Sequence, residues 1–189
     1  MNAPVPPPAP KPFIACFDSA TAVGVCDGTV GAAKPRMITW DLREGGESRP
    51  ARLLHLSRHL GAYYRENRVD FAFVEAPLPI AVMMDIGASD ETVQMLRGVV
   101  AIIETVSARA NVPIAWWRVQ EARKAVTGRS TFPRGTAKRE VMKHLRMLGH
   151  EPEDDNQADA LVGWLYQSAL LNPRLAHLTT PLFGAAHAR

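Results

Sequence analysis

Two short apolar runs that each end on an acid constrain this chain more than any other feature. Phe13–Asp18 reads FIACFD and Phe71–Glu75 reads FAFVE. Continuous apolar runs of this length, closed by turn residues, form buried strands. A carboxylate ending such a strand stands at a rim of the sheet, beside the core but within reach of water. The remaining segments complete the pattern. Ser19–Thr21 makes a turn, Ala22–Cys26 (AVGVC) returns as the second strand of a hairpin, and Arg36–Asp41 (RMITWD) forms a third strand. Gly45, Gly46, Ser48 and Pro50 mark a loop. Leu53, Leu54, Leu56, Leu60 and Tyr64 recur at helical spacing, predicting an amphipathic helix over 51–66. Pro77 and Pro79 stop the strand that ends at Glu75, and an apolar loop, expected to be mobile, runs past Met83, Met84 and Gly87. A long helix is expected over 90–110 with Asp90 as its N-cap. A strand over 113–117 (PIAWW) follows, then helices over 120–126, 136–148 and 155–171, with a basic loop over 127–135. Three strands able to meander, followed by strand–helix alternation, describe an α/β fold with a five-stranded mixed sheet flanked by helices.

Composition limits what surrounds that sheet. The 189 residues are 47% hydrophobic and 22% charged, which suits one compact domain and excludes wholesale disorder. No apolar stretch approaches the ~20 residues of a spanning helix, and no membrane association is expected. The start lacks a basic segment followed by an apolar run, so a secretory signal is not expected. Residues 1–12, half of them proline, read as a disordered tail, 13–172 as the folded domain and 173–189 as a C-terminal tail. Cys16 and Cys26 lie inside apolar segments and read as core thiols of a reducing compartment, so a cytoplasmic location is expected.

The net charge of +3 is unevenly spread. Between Arg118 and Arg146 stand nine basic residues against two acidic ones, and the rest of the chain is net acidic. Arg123, Lys124, Arg129, Arg134, Lys138, Arg139 and Lys143 belong to this segment. Concentrated positive charge is the footprint of a polyanion-binding surface, although a solvated helix pair would read the same way.

The acids suggest a site. Asp18 and Glu75 end their strands, and Asp155 and Asp159 lie four apart at the start of the last helix, on one face. Taken alone, Asp18 reads as a turn former and Asp155 as an N-cap. Asp159 sits among Ala158, Ala160, Leu161, Trp164 and Leu165, where an unpaired acid is costly. Carboxylates converging from three elements repel one another unless cations neutralise them, and hard oxygen donors suit Mg²⁺ or Mn²⁺.

With these residues in view, the chain resembles the RuvC family of Holliday-junction resolvases, within the ribonuclease H-like superfamily. The resemblance runs from Phe13 to about Leu171. It is carried by FIACFDSATAVGV, VDFAFVEAP, RKAVTG with TAKREVM, and DDNQADAL, in that order. The RSTFPRG insert and DDNQADAL are more similar to phage-type relatives. The resemblance implies a ribonuclease H-like fold and Asp18, Glu75 and Asp159 as catalytic acids. The family's remaining acid aligns with Asn156, so that either Asp155 supplies the ligand, Asn156 contributes its carbonyl, or one carboxylate is missing. It also implies two Mg²⁺ per active site, with Mn²⁺ substituting, held by Asp18, Glu75, Asp155 and Asp159. Lys138 matches a family lysine beside the scissile phosphate and Arg123 a DNA-contacting position. Lys124, Arg129, Arg134, Arg139 and Lys143 would follow the phosphates. The loop carrying Pro77, Pro79, Met83 and Met84 corresponds to the family's junction wedge. The implied activity is paired nicking of four-way DNA junctions by a homodimer, with the helix over 90–110 as candidate interface. The alternatives are a related nuclease for other branched or hybrid substrates and an inactive junction-binding protein. An actin-like sugar kinase, suggested by Asp18-Ser19-Ala20-Thr21, would need a second large domain for which 189 residues leave no room.

Overall fold

In the computed structural model, which describes residues 10–133 and 135–175, β1 (Phe13–Asp18) and β2 (Ala22–Thr29) form the expected antiparallel hairpin, with Cys16 opposite Cys26 and Asp18 opposite Gly24. β3 (Arg36–Asp41) adds antiparallel to β2. β4 (Phe71–Glu75) lies parallel to β1, and β5 (Ile114–Trp117) parallel to β4. The order β3-β2-β1-β4-β5 makes one mixed five-stranded sheet. Parallel neighbours need long crossovers, and α1 (Arg49–Glu66) before β4 and α3 (Asp90–Arg109) before β5 supply them.

Alternation along the strands divides the core in two. Ala15, Phe17, Val25 and Val74 face α1 and α3, packing on Leu56, Leu60, Val99 and Ile103. Ile14, Cys16 and Phe73 face the opposite layer, built from α4 (Val119–Thr127), α5 (Ala137–Met147) and α6 (Asp155–Leu171). Asp18 and Glu75 continue the second alternation, so both carboxylates fall on the α4–α6 side. Cys16 and Cys26 are buried and free, and burial pushes both thiols up.

Several boundaries differ from those read in the sequence, each for a local reason. β2 runs on to Thr29 through Asp27, which is 2% exposed yet compensated: Arg36 pairs with it at 2.6 Å and the Tyr63 hydroxyl donates to it at 2.7 Å. α1 begins at Arg49, two residues early, because Ser48 caps it by accepting from the Ala51 amide and Pro50 fits the first turn. The N-cap of α3 is Ser89, which accepts from the Thr92 amide; Asp90 is an acid of the first turn. Where a loop was expected after Glu75, α2 (Ile80–Asp85) forms, anchored by Met83 at 4% exposed. At the ends, the Pro12 carbonyl accepts from the Val30 amide at 2.9 Å, and Leu175 packs on the second core. Residues 1–9, Arg134 and residues 176–189 lie outside the described residues, including most of both expected tails. Among the described residues, no helix is long and apolar enough to cross a membrane.

Candidate active site

The site is assembled where β1 and β4 end together. One step beyond the Phe17–Val74 pair, Asp18 and Glu75 stand at adjacent strand ends. The Ser19 hydroxyl donates to the Glu75 carbonyl at 3.3 Å, and the Ala76 amide donates to the Trp117 carbonyl at 2.8 Å, tying the three parallel strand ends together. Beside the two acids a cavity of about 170 Å³ opens between Ser19, Ala20, Pro77, Leu78, Met83 and Leu96.

α6 brings the third acid. Its N-cap is Asp154, whose carboxylate accepts from the Gln157 amide at 2.8 Å and from the Thr39 hydroxyl at 2.7 Å, docking the helix start onto β3. The N-cap role that Asp155 could have filled thus belongs to its neighbour, which leaves the Asp155 carboxylate free to pair with Lys138 of α5. Asn156 packs its backbone against Gly24 of β2: a Cβ built on Gly24 would lie 2.1 Å from the Asn156 carbonyl oxygen. Only glycine permits that approach, and it sets the height of α6 over the sheet.

Electrostatics show how closely the acids interact. Burial pushes the Asp18 carboxyl up to about 9, with the hydrogen bond and charge of Glu75 and the charge of Asp159 adding to it and Lys138 opposing. Glu75 is also raised, chiefly by burial and then by Asp159, while its hydrogen bond from Asp18 and the charge of Arg123 pull the other way. Burial and mutual repulsion thus make it costly for both carboxyls to ionise without an added cation. Asp159 takes its compensation from Arg123 of α4, whose Nη2 donates to Oδ1 at 2.8 Å and to Oδ2 at 3.0 Å.

Among the described residues, no three carboxylate, thiolate or imidazole groups stand close enough together to cage a metal ion. Two of the four candidate acids are instead engaged by Arg123 and Lys138. The chemistry of the donor set nonetheless fits a hard divalent cation. Asp18, Glu75 and Asp159 offer carboxylate oxygens, and a cation would offset the burial and repulsion that push the Asp18 and Glu75 carboxyls up.

The basic residues divide in two. Lys124, Arg129, Lys138, Arg139 and Lys143 are exposed on α4, α5 and the loop between them, whereas Arg123 is turned inward with its side chain 19% exposed. Arg123 is thus a partner of Asp159 rather than part of the open basic surface, because α4 packs on α6 with that face. Of the two methionines in the expected wedge, Met83 is buried and Met84 is exposed.

No protein-family model matches the chain, and no curated protein matches it. Solved structures do. The structure of Thermus thermophilus RuvC superposes with a TM-score of 0.61 at 16% identity, covering 86% of this chain and 96% of that one. The chain has the RuvC fold. The same protein in complex with Holliday junction substrate matches equally, at TM-score 0.61 and 16% identity over 86% of this chain and 95% of that one. The yeast mitochondrial Holliday junction resolvase Ydc2 matches at TM-score 0.51 and 12% identity, over 91% of this chain and 85% of that one.

Within this RuvC fold, sequence reasoning missed several residues around the site. Thr39 and Asp154 fix the start of α6, and Gly24 lets it approach; no periodicity marks them. Leu78, Ile80, Val82 and Ile86 join Met84, already read as part of the wedge loop, in an exposed apolar lip on and around α2. The run PLPIAVMMDI carried that signal, since six large apolar residues beside two prolines exceed what six residues of helix can bury.

Proposed function

We propose that the chain is a metal-dependent endonuclease that resolves four-way DNA junctions by paired nicking. The observation that supports this reading most is that Asp18 and Glu75 end adjacent strands of a RuvC-type sheet and that both feel the charge of Asp159, beside an exposed basic segment. The RuvC structure that holds a Holliday junction substrate supports the choice of DNA.

Asp18, Glu75 and Asp159, with Asp155 or the Asn156 carbonyl, would hold Mg²⁺ or Mn²⁺, two ions per site. When bound, such ions activate water and neutralise charge on a phosphodiester. The chain's own groups supply the rest. Lys138 adds a mobile point charge beside the acids, able to meet a phosphate oxygen. The exposed Lys124, Arg129, Arg139 and Lys143 follow the backbone without reading sequence. Selection of a four-way junction then falls to shape and deformability, and the apolar lip around α2 is suited to press on bases unstacked at a crossover. Symmetric nicks need two active sites, so the acting species is a C2 homodimer with α3 as candidate interface.

The test is cleavage of a synthetic four-way junction in Mg²⁺, compared with a flap, an RNA–DNA hybrid and plain duplex. The expected result is paired nicking of the junction, abolished by Asp18→Asn while binding survives. Preferred cutting of the hybrid or flap would reassign the substrate. Tight binding without cutting in either metal would make the chain a junction-binding protein.

A further inference from the structure

Arg123 does not behave like the basic residues around it. Lys124 and Arg129 are exposed, but Arg123 closes its guanidinium on both oxygens of Asp159 between two packed helices, with the carboxylate itself 15% exposed. α4 has a second anchor besides this ion pair, since Ala122 and Val126 are fully buried against the core that α6 completes. The guanidinium takes one lone pair on each Asp159 oxygen and sets a full positive charge beside the carboxylate, so a divalent cation meets fewer open lone pairs there and the repulsion of Arg123.

We propose that Arg123 is a built-in counter-ion that competes with the divalent cation for Asp159, and that a DNA phosphate relieves the competition by accepting the guanidinium. A phosphate offers the same bidentate geometry as a carboxylate, so Arg123 can exchange one for the other without losing its hydrogen bonds. Metal and DNA then bind with positive coupling. DNA strengthens metal binding by drawing Arg123 off Asp159, and metal strengthens DNA binding by the same factor. Off DNA, the site remains poorly loaded and idle. This inference rests on the nuclease reading and assigns that site its regulation.

The experiment uses the full chain without DNA, titrated with Mn²⁺ while free Mn²⁺ is followed by electron paramagnetic resonance. Arg123→Gln is expected to bind Mn²⁺ about tenfold more tightly than wild type, within the usual range of coupling between sites. Lys124→Gln removes the same charge one residue away and is expected to stay near wild type; Arg123→Lys, which keeps charge but loses the fork, is expected to fall between. Adding a four-way junction should tighten Mn²⁺ binding by the wild type and leave Arg123→Gln nearly unchanged. If Arg123 merely tied α4 to α6, its removal would lower the melting temperature without tightening Mn²⁺ binding. Arg123→Gln binding no more tightly than Lys124→Gln overturns the competition while leaving the nuclease reading intact. Uptake of Mn²⁺ by neither wild type nor variant overturns both. Should Arg123→Gln fail to fold, Arg123→Lys against wild type carries the same comparison.

Discussion

Gly24→Ala tests whether the height of α6 over the sheet controls the site. The added methyl would lie 2.1 Å from the Asn156 carbonyl oxygen and 2.5 Å from its carbonyl carbon, both backbone atoms that cannot swing aside. Restoring an ordinary contact of 3.4 Å requires the first turn of α6 to retreat by about 1.3 Å. That turn is held down by the bond from the Thr39 hydroxyl to Asp154, so retreat strains or breaks it. Overpacking of this kind costs ~1–3 kcal/mol, which for a chain of this size lowers the melting temperature by about 2–4 °C per kcal/mol. The effect on chemistry is larger. Asp155 and Asp159 ride on the displaced turns, and an error of about 1 Å in a reacting group costs on the order of a hundredfold. The assays are a thermal melt by circular dichroism and single-turnover cleavage of a synthetic junction. The expected result is a folded protein, several degrees less stable, with cleavage reduced far more than stability. A variant that melts and cuts like wild type would refute the claim that this contact positions the acids.

Two further outcomes follow from the geometry. The folded Asp18 carboxyl is raised to about 9, so ionising it costs the native state; its favourable contribution is complete below the unfolded value near 4 and is lost as pH rises towards 9. In a chelator, wild type should therefore lose stability relative to Asp18→Asn between pH 5 and pH 9, by at most ~1.4 kcal/mol per pH unit; parallel melting curves across that range would refute the raised Asp18 carboxyl. On the basic surface, Arg139→Ala and Lys143→Ala should weaken junction and duplex binding alike and shallow the salt dependence by about 0.9 in log–log slope per charge removed, measured by fluorescence anisotropy; a loss confined to junctions would assign these residues to shape recognition instead.

The sequence by itself determined the strands, their order and the two acids at their ends, because apolar runs and turn residues act within a few positions. FIACFD and FAFVE admit little but buried strands, whereas the parallel register of Phe17 with Val74 is what sends Asp18 and Glu75 to the same side of the sheet. The tertiary structure decided which charges meet. Arg123 and Asp159 are 36 residues apart, and nothing local distinguishes Arg123 from Lys124 until α4 packs on α6. Capping turned on the same kind of detail: Asp154 and Asp155 are chemically equivalent as caps, and the bond from Thr39, 115 residues away, accompanies the choice of the first and leaves the second for Lys138. Asp27 ends no strand because Arg36 and Tyr63 close around it in three dimensions. Charge and hydrogen-bond partnerships depend on packing angles between distant elements, and a linear chain encodes those only through the whole core.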